Sequence, residues 1–324
     1  MYLHKMSFSI LLISGTLMTI SASSWFSAWV GLEVNLLSFI PLIKNKTSKL
    51  SSESMMKYFI TQALGSMIVM FSIISSYITP NMVTLMTLGL LLKLGAAPLH
   101  SWFPEVAAGL SWSSMFILMT WQKIAPMVMI MYSTNNQYIM TVFIITSSLM
   151  GGLMGMNQTN LRKIMAYSSI NHMGWMLAAL INSWMIWLYY FSVYTVINAT
   201  ISYTFNSYKM SSVNQMNKLQ YLEKLFMTMN FLSLGGLPPF LGFLPKWFTI
   251  MSLTNNQVLF LTIPLIVLTL MCLFYYLRMT LTHMVLITEK STMMNKYKMS
   301  FSLLMLNNIS LATLLVAPIL MNIF

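Results

Sequence analysis

The stretch LGLLLKLGAAPLHSWFPEV (residues 88–106) sets one lysine, Lys93, inside an apolar run and follows it at once with Gly95-Ala96-Ala97-Pro98. Proline lacks a backbone donor and clashes with the turn before it, so a helix ending in this way should be interrupted just past the lysine. A second stretch repeats the pattern in a different order: GGLPPFLGFLPKWF (235–248) carries its glycines and prolines first and its lysine, Lys246, afterwards. Both lie in long apolar surroundings. An interrupted helix at membrane depth survives only against protein or a water-filled cavity. Paired Gly/Pro-interrupted spans are a pointer to an ion site in transporters built from inverted repeats.

The composition supplies the membrane. Of 324 residues 57% are hydrophobic and 7% charged, whereas a water-soluble domain carries about 25% charged residues. That excludes a soluble globule, and the hydrophobicity excludes a disordered chain. Apolar runs far beyond about 10 residues argue against an outer-membrane barrel. The net charge of +12 is scattered between apolar runs rather than gathered on one face, so nucleic acid is not the expected partner. One cysteine, Cys272, excludes an internal disulfide and a cysteine-based cluster. No HExxH, GxGxxG or Walker sequence occurs, so no metal or cofactor site is predicted in this chain.

A helix of about 20 apolar residues crosses the roughly 30 Å hydrocarbon layer. The fold expected is all-α and polytopic, with eleven transmembrane helices at about 7–23, 25–43, 57–79, 82–103, 110–132, 137–156, 163–181, 184–207, 225–250, 257–279 and 300–322. After a first span (1–24), two five-helix repeats (25–156 and 157–324) would place the two broken helices third in each block. The amino terminus and alternate loops then hold fourteen of the seventeen basic residues, from Lys5 to Lys298. The basic side faces the compartment of synthesis. Glu53, Glu105, Glu223 and Glu289 fall on the same side.

Four charges remain within the spans: Glu33, Lys93, Lys123 and Lys246. Each costs about 2.5–3.5 kcal/mol at the bilayer centre on insertion scales. A structural explanation is an ion pair gluing helices, or lysines whose ammonium groups reach the interface. Three lysines cannot all be paired by one glutamate. A lysine stripped of water holds its proton less tightly, and a nearby carboxylate holds it more tightly. The set therefore reads as a switchable proton relay. His172, in AYSSINHMGWM beside Ser168, Ser169 and Asn171, is a further relay candidate or a packing histidine. His100, His283 and His4 are expected to be solvated or terminal.

With these residues in place, WVGLEVNLLSFIPL, KYFITQALGS, LLLKLGAAPLHSWFPEV, MTWQKIAP, MNQTNLRKIMAYSSINHMGWM and NFLSLGGLPPFLGFLPKW together resemble the chain 2 family of NADH–ubiquinone oxidoreductase. These are antiporter-like membrane subunits of respiratory complex I, in the animal mitochondrial form. The motifs cover about residues 25–280. The resemblance implies a proton pump without a redox centre: NADH, FMN, iron–sulfur clusters and ubiquinone would sit in partner subunits. It implies Glu33 as the carboxylate that pairs with a lysine, Lys93 as the switching lysine, Lys123 as the connecting one, and Lys246 as the one toward the exit or the neighbouring subunit. It further implies eleven spans where bacterial counterparts have fourteen, and neighbours including the antiporter-like chain 4, the small chain 4L and cardiolipin. The location implied is the mitochondrial inner membrane, with the amino terminus and basic loops on the matrix side and the carboxyl terminus on the intermembrane side. Abundant Met with scarce Arg and no Asp fits AT-rich coding under a mitochondrial code. A stand-alone cation/proton antiporter and an assembly scaffold with inert ion pairs are the alternatives.

Overall fold

In hydrocarbon each backbone N–H and C=O must find its partner within the chain, and a helix does this segment by segment. The computed structural model describes residues 2–44, 49–76, 83–133, 137–219, 221–255 and 258–285, and among them every regular element is helical. The chain divides into two compact units, residues 1–147 and 148–324.

The first unit holds α1 (Tyr2–Ile20), α2 (Trp25–Ile43), α3 (Lys49–Ser76), α4 (Val83–Leu94), α5 (Trp102–Gly109), α6 (Trp112–Met119), α7 (Trp121–Ser133) and the first part of α8 (Gln137–Met156). Small residues let its helices approach closely. A Cβ on Gly31 of α2 would stand 2.9 Å from the Gly15 carbonyl of α1, and one on Gly89 of α4 would stand 3.1 Å from the Gly65 carbonyl of α3. The second unit holds the rest of α8, then α9 (Leu161–Asn182), α10 (Trp184–Ser207), a 3-10 turn (Val213–Lys218), α11 (Tyr221–Gly235), α12 (Phe243–Asn255) and α13 (Leu259–Val285). Helix α9 is buried from Leu161 to Leu180 on nearly every face, with α10, α12 and α13 packed against it. The short polar breaks serve as caps. Ser24 accepts the Ser27 N–H at 3.2 Å, and Asn160 accepts that of Arg162 at 3.0 Å.

Several expected spans change shape. Among the described residues five helical stretches are long and apolar enough to cross a membrane: Trp25–Ile43, Lys49–Ser76, Trp112–Ser133, Gln137–Met156 and Leu259–Leu281. Helix α3 starts before residue 57, at Lys49, with Ser51 and Ser54 of its first turns buried. The expected fourth span is two pieces, α4 and α5, and its 12-residue first piece reaches only about 18 Å. The ninth is likewise α11 and α12. A further interruption, not expected from sequence, parts α6 from α7 at Thr120, whose hydroxyl donates to the Phe116 carbonyl at 2.7 Å. Such back-bonding bends helices. The eleventh expected span, 300–322, lies outside the described residues.

Candidate functional site

The break after Lys93 is a Schellman cap. Gly95 takes a left-handed φ of +70°, which a side chain would strain. Its N–H donates to Leu92 O at 3.0 Å, and that of Ala96 donates to Leu91 O at 3.1 Å. The carbonyls that the lost helix leaves open are taken by neutral donors: Gln62 Nε2 on Lys93 O at 3.0 Å, Trp102 Nε1 on Leu92 O at 3.2 Å, and the Thr146 hydroxyl on Ala97 O at 2.8 Å. Lys93 sits in the last turn of α4, where the helix dipole favours a cation, and only 6% of it is exposed. Its stem runs over Gly65, where any Cβ would come within 2.8 Å of Lys93 Cγ.

Glu33 is half-buried on α2. It is in electrostatic reach of Lys93 and of the fully buried Tyr58, but among the described residues it makes no ion pair within 4.0 Å. Lys123, 2% exposed on α7, places its ammonium 5.9 Å from the centre of the Phe103 ring. The structure thus brings Glu33, Lys93 and Lys123 into one unit, on elements joined through α7: α2 packs on α7, and α4 packs on α7.

Lys246 and His172 belong to the second unit. Helix α11 also ends in a Schellman cap, with Gly236 at φ +78°. The Gly236 N–H donates to Ser233 O at 3.0 Å and that of Leu237 to Leu232 O at 3.4 Å. Here the open carbonyls are taken by a charge. Lys246 Nζ, from α12, donates to Gly235 O at 2.9 Å and to Leu234 O at 3.4 Å, and lies 5.7 Å from the Trp175 ring centre. With the residue 7% exposed, these carbonyls and the negative end of α11 replace the lost water. His172 Nδ1 shares a 2.8 Å hydrogen bond with the Tyr190 hydroxyl, and a small cavity separates His172, Tyr190 and Tyr194 from Ser233 and Gly242 at the break.

Sequence reasoning put Glu223 and Lys224 on the basic side of the membrane, and the structure buries both, Glu223 at 3% exposure. The Tyr208 hydroxyl donates to the Glu223 carboxylate, and burial followed by that carboxylate raises the Tyr208 phenol above its ordinary value. Helical spacing carried the signal: Glu223, Met227, Phe231 and Leu234 form one buried stripe on α11. His100 is buried as well, its ring nitrogen Nδ1 3.3 Å from Pro98 O, because the break folds α5 back over it. The His283 side chain lies outside the described residues. Among the described residues no group of three or more His, Cys, Asp or Glu could hold a metal.

The structure thus buries an ammonium group beside each of two broken helices. Residues 22–272 match the family described as NADH:quinone oxidoreductase/Mrp antiporter, transmembrane. NADH-ubiquinone oxidoreductase chain 2 of Anopheles gambiae is 49% identical over 95% of this chain and 95% of its own length. Among solved structures, a chain of respiratory complex I from Thermus thermophilus superposes with a TM-score of 0.84 at 19% identity, over 97% of this chain and 79% of that one. A chain of the Mrp complex from Dietzia sp. DQ12-45-1b does so with a TM-score of 0.75 at 15% identity, over 84% of this chain and 59% of that one. With the motifs in order along the chain and a relative matched nearly end to end, the chain belongs to the NADH-ubiquinone oxidoreductase chain 2 family.

Proposed function

We infer that this chain is a proton-translocating membrane subunit of respiratory complex I, part of the NADH:ubiquinone oxidoreductase that converts redox energy into proton pumping. NADH, FMN, iron–sulfur clusters and ubiquinone belong to other subunits. The location is the mitochondrial inner membrane, with eleven spans, two inverted five-helix repeats, basic loops toward the matrix and the carboxyl terminus on the opposite side. Chain 4, chain 4L and cardiolipin are its neighbours.

The observation that carries the mechanism is the burial of Lys93 and Lys246, each beside a broken helix, together with the burial of Lys123 on α7. The Lys246 ammonium is held by two carbonyls and the Trp175 ring, and the Lys123 ammonium lies by the Phe103 ring. Glu33 acts on Lys93 through space, and a small displacement of α2 changes that interaction steeply at low dielectric. Lys93 then takes or gives a proton, Lys123 passes the charge on, and Lys246 delivers it, with His172 and Tyr190 as a side branch. One charge moved against 100 mV costs about 2.3 kcal/mol. Making or breaking one hydrogen bond to a charged group, about 1.5–3 kcal/mol, is of that size.

The test is proton uptake per NADH oxidised in vesicles holding complex I with Lys93→Met or Lys123→Met. Uptake per NADH is expected to fall while the complex assembles normally. An unchanged ratio in both variants would sink the relay. The fold shared with an Mrp subunit favours one second reading, a cation/proton antiporter. Ion exchange by the isolated chain in the absence of NADH would support it.

A further inference from the structure

Glu33 stands between two polar cross-links that fasten α2 to two different neighbours. One turn before it, Trp29 Nε1 donates to Ser66 O of α3 at 3.0 Å, directly beside the Gly65 over which Lys93 runs. Two residues after it, the buried Asn35 accepts from Gln122 Nε2 of α7 at 2.9 Å through its Oδ1. Gln122 precedes Lys123. Its other end, Oε1, accepts the hydroxyl of Tyr58 of α3 at 3.3 Å, and Tyr58 is the buried phenol in electrostatic reach of Glu33. One amide therefore joins the helices of Glu33, of Lys123 and of the glycine surface under Lys93.

A primary amide neither takes up nor releases a proton near neutral pH, so this bridge cannot be a link in a proton chain. What it can do is fix geometry. In the structure its Nε2 donates to Asn35 and its Oε1 accepts from Tyr58, so both ends of the amide are engaged at once. Asn35 is buried, and a buried amide deprived of its partner costs about 1–3 kcal/mol; Gln122 itself is half-buried. Slippage of α2 along α7 would break the Asn35 bond before it moved any lipid-facing contact. The ring series Tyr58, Trp102 and Phe103, with centroids 6.1 and 5.5 Å apart, ends under the Lys123 ammonium and backs the same bridge on its apolar side.

We propose that Gln122 is a positioning residue: through Asn35 and Tyr58 it sets the register of α2 against α7, and with it the distance at which Glu33 acts on Lys93. The proposal rests on the Glu/Lys relay, and the experiment separates the two. Complex I bearing Asn35→Gln, Gln122→Asn or the exchange of both is placed in vesicles, with Lys123→Met alongside. The exchange keeps one long and one short amide across the same gap. Each single variant is expected to lose proton uptake per NADH while NADH oxidation by the uncoupled complex stays normal, and the exchange is expected to restore uptake. Tyr58→Phe, which removes the longer bond only, should lose less than either. Equal uptake in all four amide and phenol variants, with Lys123→Met defective, overturns the positioning role and leaves the relay standing. So does an exchange variant that assembles normally yet pumps no better than the singles. Normal uptake in Lys123→Met together with Lys93→Met overturns the relay itself.

Discussion

The two helix breaks use one backbone device and finish it in opposite ways. Gly95, Pro98 and Pro104 in the first are spaced as Gly236, Pro239 and Pro245 are in the second, and each left-handed glycine closes the same Schellman cap. The following helices, α5 from Trp102 and α12 from Phe243, start at the same remove. On that alignment Lys246 stands where Glu105 stands, and Lys93 stands where Leu234 does. Glu105 points outward and pairs with Lys57 at 2.8 Å, whereas Lys246 turns inward onto the open carbonyls. In the first break neutral side chains of α3, α5 and α8 complete the cap, so Lys93 has no structural duty there. In the second, the titratable group is itself the cap. Proton release at Lys246 would loosen α11 from α12, and release at Lys93 would leave its break intact.

The largest effect expected from this difference is at Gly242. A Cβ there would stand 1.7 Å from the Ser233 carbonyl, a backbone atom that cannot step aside. Gly242→Ala should abolish incorporation of the chain into the assembled complex, as seen on native gels. The corresponding place in the first break is Ser101, which is exposed, and Ser101→Ala should assemble at wild-type levels. Equal assembly of the two variants would break the comparison.

The next effect separates the lysines. Lys246→Met removes the donor from Leu234 O and Gly235 O and should destabilise by about 2–3 kcal/mol, the range for losing hydrogen bonds to a charged group. Lys93→Met removes a buried charge without orphaning a carbonyl and should cost less than Lys246→Met. The temperature at which each assembled complex dissociates is the measurement. Lys93→Met is therefore the cleaner test of pumping, because loss of uptake there cannot be ascribed to a failed cap. A lower dissociation temperature for Lys93→Met than for Lys246→Met would reverse the assignment.

Most of the first break was legible in LGLLLKLGAAPLH because its causes are local: a glycine free to take positive φ and a proline that cannot continue the helix. The burial of Lys93, Lys123 and Lys246 was legible for a similar reason, since each lies inside a long, mostly apolar run. The partners were not legible. That Lys246 would reach back to Gly235 while Lys93 would be bridged by Gln62 depends on which helix packs where. The burial of Glu223 was not legible because a charge near a span end is usually solvated, and here the buried stripe of α11 outweighed the preference of one carboxylate for water. The interruption at Thr120 was invisible, as one threonine in MTWQKIAP carries no glycine or proline signal before the lysine.

The smallest expected effect sharpens the contrast at the first break. Gln62 is buried, and its amide is the donor that Lys93 O receives in place of the missing helical N–H. Gln62→Met keeps the length and apolar stem of the side chain but leaves that carbonyl unpaired, which should cost about 1–2 kcal/mol. Proton uptake per NADH should hold, since the Lys93 ammonium, its glycine bed on Gly65 and its interaction with Glu33 are untouched. Gln62→Lys supplies a charged donor instead and makes the first break resemble the second. If the cap and the proton site are separate in the first break, Gln62→Lys should recover the dissociation temperature lost in Gln62→Met, and its added positive charge should disturb uptake by repelling the Lys93 proton. Recovery of stability with unchanged uptake would mean that Lys93 is shielded from its own cap. Loss of uptake in Gln62→Met would mean that the carbonyl and the ammonium of Lys93 move as one, and the two breaks would then be alike in function as well as in backbone.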